Sequence, residues 1–349
     1  MRRARLPLAA FCLAALLLTG GCKNGSGKAE TAEPVSQTYF IFDTIVQIRV
    51  YDNAFGEDRF GEIGAMLDRI DGRLNRHESG TEIDLVNRNA GIRPVAVSEE
   101  TFAVVKKALE YAEWSKGRFD PTIGPLVDLW GIGTENAAVP SGEAIDARLA
   151  LVDYRNVELD DETHSIFLKK PGMSLDLGGI GKGYAADAVA EYLRKFGVKS
   201  AILDLGGNLV ALGEKPDGSP WSIGIQDPAE QRGEHLGIIR VKDRTIVSSG
   251  VYERYFRQDG RLFHHILDPE TGWPVDNELV AVAIVTGRSA DADALSTTVF
   301  AMGLERGLET VERLEDTEAV FVTKDRKLYM TSGLRGSFTL TNPSYEPAD

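Results

Sequence analysis

Cysteine is scarce in this chain of 349 residues: there are only two, Cys12 and Cys22. Cys12 lies inside an apolar run near the N-terminus, so a disulfide framework for a folded domain is excluded. Long apolar runs are missing too. The most apolar stretch, Leu6 to Leu18, is about 13 residues long, short of the roughly 20 that a bilayer-spanning helix needs. Basic charge is deficient, with 39 Lys and Arg against 53 Asp and Glu and a formal net charge of −14. An acidic surface repels nucleic-acid phosphates and anionic headgroups, which argues against nucleic acid as a partner. The chain also has no Gly-x-Ser-x-Gly, no His-Glu-x-x-His and no Cys–His pairing. Covalent serine or cysteine hydrolysis and zinc proteolysis are therefore unsupported.

What is present begins with the ends. Arg2, Arg3 and Arg5 precede the apolar run, and Thr19-Gly20-Gly21 leads into Cys22, the layout of an export signal over residues 1–21. A cysteine directly after the cleavage site resembles the lipobox of bacterial lipoproteins, with Thr19 standing where leucine is usual. On that reading Cys12 leaves with the signal and Cys22 is the lipidation site, which removes a lone thiol from an oxidising compartment. Loss of three arginines and no acids takes the formal charge from −14 to −17. Residues 22–37 are small and polar and read as the lipidated cysteine and a flexible linker. The remaining domain is expected over 38–345. The expected location is an exported, membrane-anchored lipoprotein facing the periplasm or cell exterior. Lys23 is not the aspartate that retains lipoproteins in a Gram-negative inner membrane, so an outer membrane is open.

Within the domain, Thr44, Val46, Ile48 and Val50 alternate as in a half-buried strand. Phe60, Ile63, Leu67, Ile70 and Leu74 recur at helical spacing. Ser98 is a candidate N-cap followed by Glu99 and Glu100, for a helix ending by Gly117. Phe119 to Gly133 carries too much Gly and Pro for a regular element. Met173 to Leu177 reads as a short strand running into Gly178-Gly179-Ile180-Gly181-Lys182-Gly183. A helix follows with Ala186, Val189, Leu193 and Phe196 on one face and Gly197 as its stop. Strands are expected at 200–205, 208–212, 221–226, 236–241, 262–267 and 279–286, helices at 291–302 and 304–315, and a hairpin at 319–331. Without regular βα alternation, this pattern is α+β with a large, mainly antiparallel sheet.

Three clusters carry chemistry. A glycine-rich turn opening a helix lets backbone amides approach a phosphate, and Lys182 adds positive charge. It is neither a Walker loop nor a dinucleotide fingerprint, and tight-turn packing alone would also explain it. Asp293 and Thr297 share a helix face, and a carboxylate plus a hydroxyl suit a hard cation such as Mg²⁺. Alternatively, Asp291 and Asp293 simply favour the helix dipole. His264 and His265 point to opposite sides of a strand, so they do not readily chelate one metal. One of them is a candidate base placed by the rigid turn from Asp268 to Gly272, and a satisfied structural histidine is the other reading.

The order and wording of FDPTIGPLVDLWGIG, SLDLGGIGKGYAADAV, LDLGGN, SSGVYERYF, HHILDPETGWPV and SADADALSTTVFAMG resemble the FAD:protein FMN transferase family, also called ApbE flavin transferases. The resemblance spans roughly residues 40–303. It implies a T-fold-like α+β fold of two related halves sharing one core, with FAD in the cleft between them. It implies an Mg²⁺-dependent enzyme that cleaves FAD, releases AMP and joins FMN through a phosphoester to a Thr or Ser of an exported flavoprotein acceptor. The implied cation ligands are Gly179, through its carbonyl, and Asp293, Thr297 and Ser296. Some relatives carry an acid at the Ser296 position. Asp176, Lys182, the Asp120-Pro121-Thr122 loop, Ile266 and Phe42 would face FAD. His265 is the candidate catalytic base, with His264 as second choice. Two other outcomes stay compatible with the same residues: an Mg²⁺-dependent FAD pyrophosphatase giving free FMN and AMP, and a non-catalytic flavin-binding lipoprotein.

Overall fold

The structure, a computed structural model, describes residues 33–52 and 55–348. The export signal, Cys22 and most of the linker lie outside the described residues. Nine strands form the main sheet, and their order across it is their order along the chain: Val35–Ile41, Thr44–Val50, Ser200–Leu205, Asn208–Gly213, Arg244–Gly250, Leu279–Thr286, Glu318–Thr323, Lys327–Met330 and Glu346–Pro347. All neighbours are antiparallel except the last pair. The α-helices among the described residues are α1 (Arg59–Leu74), α2 (Glu82–Arg88), α3 (Glu99–Trp114), α4 (Gly124–Trp130), α5 (Gly142–Leu149), α6 (Gly181–Lys195), α7 (Ser289–Met302) and α8 (Leu304–Glu312).

The hydrophobic pattern explains the layering. In Thr44–Val50 the residues Val46, Ile48 and Val50 are buried while Ile45 and Arg49 are exposed, because the far face of this end of the sheet is uncovered. The buried face packs against α1 and α6, with Ile63, Leu67, Ile70, Ala186, Val189 and Leu193 in one core. Leu279–Thr286 is apolar along nearly its whole length because both its faces are covered. Val282 and Ile284 meet Leu295 and Val299 of α7, whereas Ala281, Ala283 and Val285 meet a second sheet of Trp221–Gln226, His235–Val241 and Phe338–Leu340. Helices thus line one face of the long sheet in two groups, α1 with α6 and α7 with α8.

The two groups join where α6 crosses α7, and the crossing is unusually close. A Cβ built on Gly183 would lie 2.3 Å from the carbonyl oxygen of Ser289 and 2.7 Å from Cα of Ala290. Only glycine leaves that room. The start of α7 is rich in Ala and Ser for the same reason. Each helix also caps the other. Asp187 of α6 accepts the backbone amides of Ser289 (2.8 Å) and Ala290 (3.0 Å), and Asp293 of α7 accepts the amide of Gly183 (3.0 Å). Helix N-termini leave donors unpaired, and here side chains from the opposite helix satisfy them.

Several expectations shift. The first strand begins at Val35, so residues 35–37 belong to the sheet and not to the linker, and the sheet extends past 345 to Glu346–Pro347. Arg244–Gly250 is a central strand whose polar Ser248 and Ser249 hide the apolar pattern. Phe119–Gly133 contains α4: Pro125 sits in its first turn and Gly131, at φ 56°, ends it, so residues read as breakers are its start and stop. Met173–Leu177 is not a strand and makes only a bridge between Ser174 and Ile123. Phe196 is exposed, its ring lying 3.8 Å beneath the Arg59 guanidinium and tilted at 56° against Tyr192. Ser98 does cap α3, accepting the amide of Thr101.

A Gly183→Ala change should force the two helices apart and lower unfolding free energy by about 1–3 kcal/mol, the usual cost of overpacking. Urea denaturation checks this, and an unchanged midpoint would contradict the close crossing.

Candidate functional site

The reciprocal cap has a chemical consequence at the glycine loop. The amide of Gly183, in the first turn of α6, is one of the donors that a helix start leaves without an intrahelical partner, and it donates to Asp293 Oδ2. The next amide, that of Tyr184, bonds back to Ile180. The Gly179 carbonyl, just outside the helix, has no hydrogen-bond partner among the described residues. Asp293 Oδ1 has only the Lys182 ammonium nearby, at 3.7 Å. Thr297, one turn on, stands beside Gly179: a Cβ there would lie 3.6 Å from Thr297 Oγ1. Thr298 returns its hydroxyl to the Ala294 carbonyl, but that of Thr297 has no such partner.

One carboxylate oxygen, one hydroxyl and one carbonyl with spare lone pairs thus lie at the α6–α7 crossing. That donor set fits Mg²⁺, which takes oxygen ligands and keeps several positions for water or substrate phosphates. Ser296 does not fit. It is fully buried, and its hydroxyl is spent on Ser249 Oγ (2.8 Å) and the Asp293 carbonyl (2.9 Å). Asp291 is also committed elsewhere, accepting from Tyr111 (2.8 Å) and pairing with Lys107 (3.1 Å) of α3.

Lys182 reaches back to the Gly178 carbonyl (3.3 Å) and stays part-exposed at the start of α6. Asp176 accepts the Gly178 amide (2.8 Å) and lies 3.6 Å from Arg76, which itself grips Asp128. The Asp120-Pro121-Thr122 loop stands behind these residues. Asp120 accepts the Thr122 amide and hydroxyl and the Tyr154 amide, and Thr122 Oγ1 accepts the Asp153 amide. Burial pushes the Asp120 carboxyl up, opposed by those hydrogen bonds. The polar atoms of Asp120 and Thr122 are therefore turned inward, not toward a cleft. The loop contributes position, because the Pro121 carbonyl accepts the Asp176 amide at 2.7 Å. Phe42 sits at φ 54° in the turn after the first strand, a left-handed conformation that bulky side chains rarely adopt.

The two histidines separate cleanly. His264 is buried, its Nε2 donating to the Val275 carbonyl (2.8 Å) and its Nδ1 accepting the Ile266 amide (3.3 Å). Both ring nitrogens are used, so His264 is structural. His265 bonds through Nδ1 to the Arg254 carbonyl at 3.2 Å. A carbonyl only accepts, so Nδ1 carries the proton and Nε2 keeps a free lone pair. Desolvation, followed by the Arg254 charge, holds the imidazole well below its ordinary range, and it is neutral at pH 7. Ile266 is buried beside Leu295 and Val299, so its side chain is in the core and not on a ligand surface.

The turn after the histidines anchors the Phe119–Gly133 segment, so two motifs 130 residues apart share one platform. Trp130 Nε1 donates to the Gly272 carbonyl (2.8 Å), and Arg118 pairs with Glu270 (2.7 Å) and Asp268 (3.6 Å). Asp187, Ser249, Arg76 and Arg254 escaped the sequence reading. For Asp187 a signal existed: Gly183 and Asp187 are four apart on α6, so the smallest residue and a carboxylate share one face.

Residues 42–321 match the family described as the ApbE family. A protein of Klebsiella pneumoniae named FAD:protein FMN transferase is 39% identical over 81% of this chain and 88% of its own length. One of the same name from Treponema pallidum is 34% identical over 90% of this chain and 91% of its own. Among solved structures, the ApbE protein of Thermotoga maritima superposes with a TM-score of 0.80 at 32% identity, covering 87% of this chain and 99% of that one. The flavin transferase ApbE of Vibrio cholerae gives 0.78 at 30%, with 87% and 98% covered.

Replacing His264 with Gln should destabilise the fold by about 1–3 kcal/mol through a lost buried hydrogen bond, whereas His265→Gln should cost little stability. Because both imidazoles are held neutral when folded, the unfolded chain binds protons more readily. Stability should fall as pH drops below about 6.5 toward the depressed folded values, and less steeply in His264→Gln. Thermal melting between pH 7 and pH 4 measures both effects.

Proposed function

Since the chain belongs to the ApbE family and is a flavin transferase, we propose that it uses Mg²⁺ to cleave FAD and joins FMN to a Thr or Ser hydroxyl of an exported flavoprotein, releasing AMP. The observation that carries this reading is the α6–α7 crossing, where Asp293 caps α6 through the Gly183 amide with one oxygen only. Its Oδ1, the Gly179 carbonyl and Thr297 Oγ1 remain there as hard donors near Lys182. A bound Mg²⁺ would neutralise pyrophosphate charge that the acidic chain otherwise repels.

The chain's own residues divide the remaining work. Lys182, at the start of α6, faces the phosphates with positive charge. His265, neutral and with Nε2 free, takes the proton of the acceptor hydroxyl. Asp176, steadied by Arg76, borders the same loop. Export and lipid attachment at Cys22 would put this transfer outside the cytoplasm, at a membrane where acceptor proteins reside. Water in place of the acceptor hydroxyl would give the pyrophosphatase outcome from the same residues.

Incubation of the full chain with FAD, Mg²⁺ and an exported flavoprotein should give a fluorescent acceptor band on a denaturing gel, lost on chelation. No band, with AMP released at the same rate with and without acceptor, would assign a pyrophosphatase. Asp293 is buried and caps α6, so Asp293→Ala confounds stability with catalysis. Asp293→Asn is the cleaner variant, because its amide oxygen still accepts from Gly183. It should keep the fold and lose roughly 100-fold or more in Mg²⁺-dependent AMP release. Activity close to wild type would remove Asp293 from the cation site.

A further inference from the structure

The basic side chains around the glycine loop and the histidine hairpin are mostly tied to carboxylates. Arg76 holds Asp128 at 2.7 Å, Arg118 holds Glu270 at 2.7 Å, and Lys182 lies 3.7 Å from Asp293. On the hairpin itself Arg254, Arg257 and Arg261 are exposed and pair with no carboxylate among the described residues, but Arg257 and Arg261 stand over the Tyr255 and Phe263 rings whereas Arg254 adjoins His265. Its position is nevertheless well defined. The Arg254 carbonyl accepts both the His265 amide (3.1 Å) and His265 Nδ1 (3.2 Å). Its aliphatic arm runs over Gly133, where an added Cβ would come within 3.1 Å of Arg254 Cδ. Gly133, at φ 94°, thus leaves the space that the arm occupies. The Arg254 backbone is thereby tied to the candidate base, and its unpaired guanidinium extends past Gly133 at the end of the Phe119–Gly133 segment, close enough for its charge to act on the imidazole.

We propose that Arg254 binds the phosphoryl group under transfer, its guanidinium holding two nonbridging oxygens while His265 deprotonates the acceptor. This rests on the flavin-transferase reading of the same site. In the step, the acceptor oxygen forms a bond to the phosphorus of the FMN half. The bond from that phosphorus to the bridging oxygen breaks, the electron pair leaves with AMP, and the acceptor proton goes to His265 Nε2. Negative charge spreads over the equatorial oxygens as this happens, and the planar fork of arginine matches two of them. The same cation keeps the imidazole unprotonated and ready to act. The charged or titratable groups facing that imidazole are Arg254, His264 and Lys182, and each of them lowers its proton affinity.

The test uses the full chain with Arg254→Gln and Arg254→Lys, measuring kcat and KM for FAD with acceptor present and titrating His265 by NMR without substrate. Arg254→Gln should lower kcat roughly 100-fold or more, beyond any change in KM, by the scale of other lost electrostatic stabilisers. The His265 pKa should rise in Arg254→Gln and stay low in Arg254→Lys, which should also recover part of kcat. A glutamine variant whose kcat stays within about threefold of wild type would overturn the proposal against that scale. So would a loss confined to KM, or an unmoved His265 titration. Should Arg254→Gln not fold, Arg254→Lys decides: it keeps the charge but not the fork, so reduced kcat supports the assignment and undiminished kcat overturns it. A wild-type chain that cleaves FAD without flavinylating the acceptor would instead overturn the reading on which the proposal rests.

Discussion

One hydrogen bond between two helices organises this molecule. The amide of Gly183, a donor that the start of α6 leaves unpaired, meets Asp293 on the neighbouring helix. Because Asp187 returns the service to the start of α7, the two helices fix each other's first turns at van der Waals contact. The arrangement needs glycine at 183, where any Cβ would strike the backbone at Ser289. Structural demand and chemistry coincide here: the bond that locks the crossing uses one oxygen of Asp293 and leaves the other near Lys182, with Gly179 and Thr297 side by side at the same crossing. Each group of helices lies on its own half of the long sheet, so this crossing is also where the halves are joined.

The acidic character of the chain makes that point matter. A polyphosphate substrate approaches a protein of net charge −14 and must be met by local positive charge. On the proposed reading, Lys182, Arg254 and a divalent cation held by the oxygen set would supply it. Two adjacent histidines show how finely the local geometry divides labour. His264 is consumed by two backbone groups, whereas His265 uses one nitrogen for orientation and keeps the other free.

Much of this was legible in the sequence, and the failures have physical causes. The α+β class, the helices at 59–74, 99–114 and 289–302 and the family resemblance followed from periodicity, caps and motif order. Arg244–Gly250 was hidden because Ser249 is a buried polar residue satisfied by Ser296, a pairing that no local pattern reveals. The α4 helix was hidden because Pro125 and Gly131 act as its ends and not its breaks. Lys182, Asp293 and Thr297 are brought together with Gly179 at the α6–α7 crossing, and of the two histidines His265 is the one that keeps a ring nitrogen free. Asp120, Thr122, Ile266 and Ser296 were assigned by resemblance, and their side chains prove to be committed inside the protein. Linear sequence shows which residues recur in a motif but not which of their atoms are already spent. Asp187 and Arg254 were missed for the complementary reason: their importance lies in contacts with residues about 100 and 11 positions away.

If the helix crossing creates the cation site, the anomalous scattering of Mn²⁺ bound in crystals of the full chain will show one strong peak within about 2.0–2.3 Å of the Gly179 carbonyl oxygen, Asp293 Oδ1 and Thr297 Oγ1, typical of a hard cation on oxygen ligands. A peak centred on Asp291, or one whose ligands omit the Gly179 carbonyl, would contradict it.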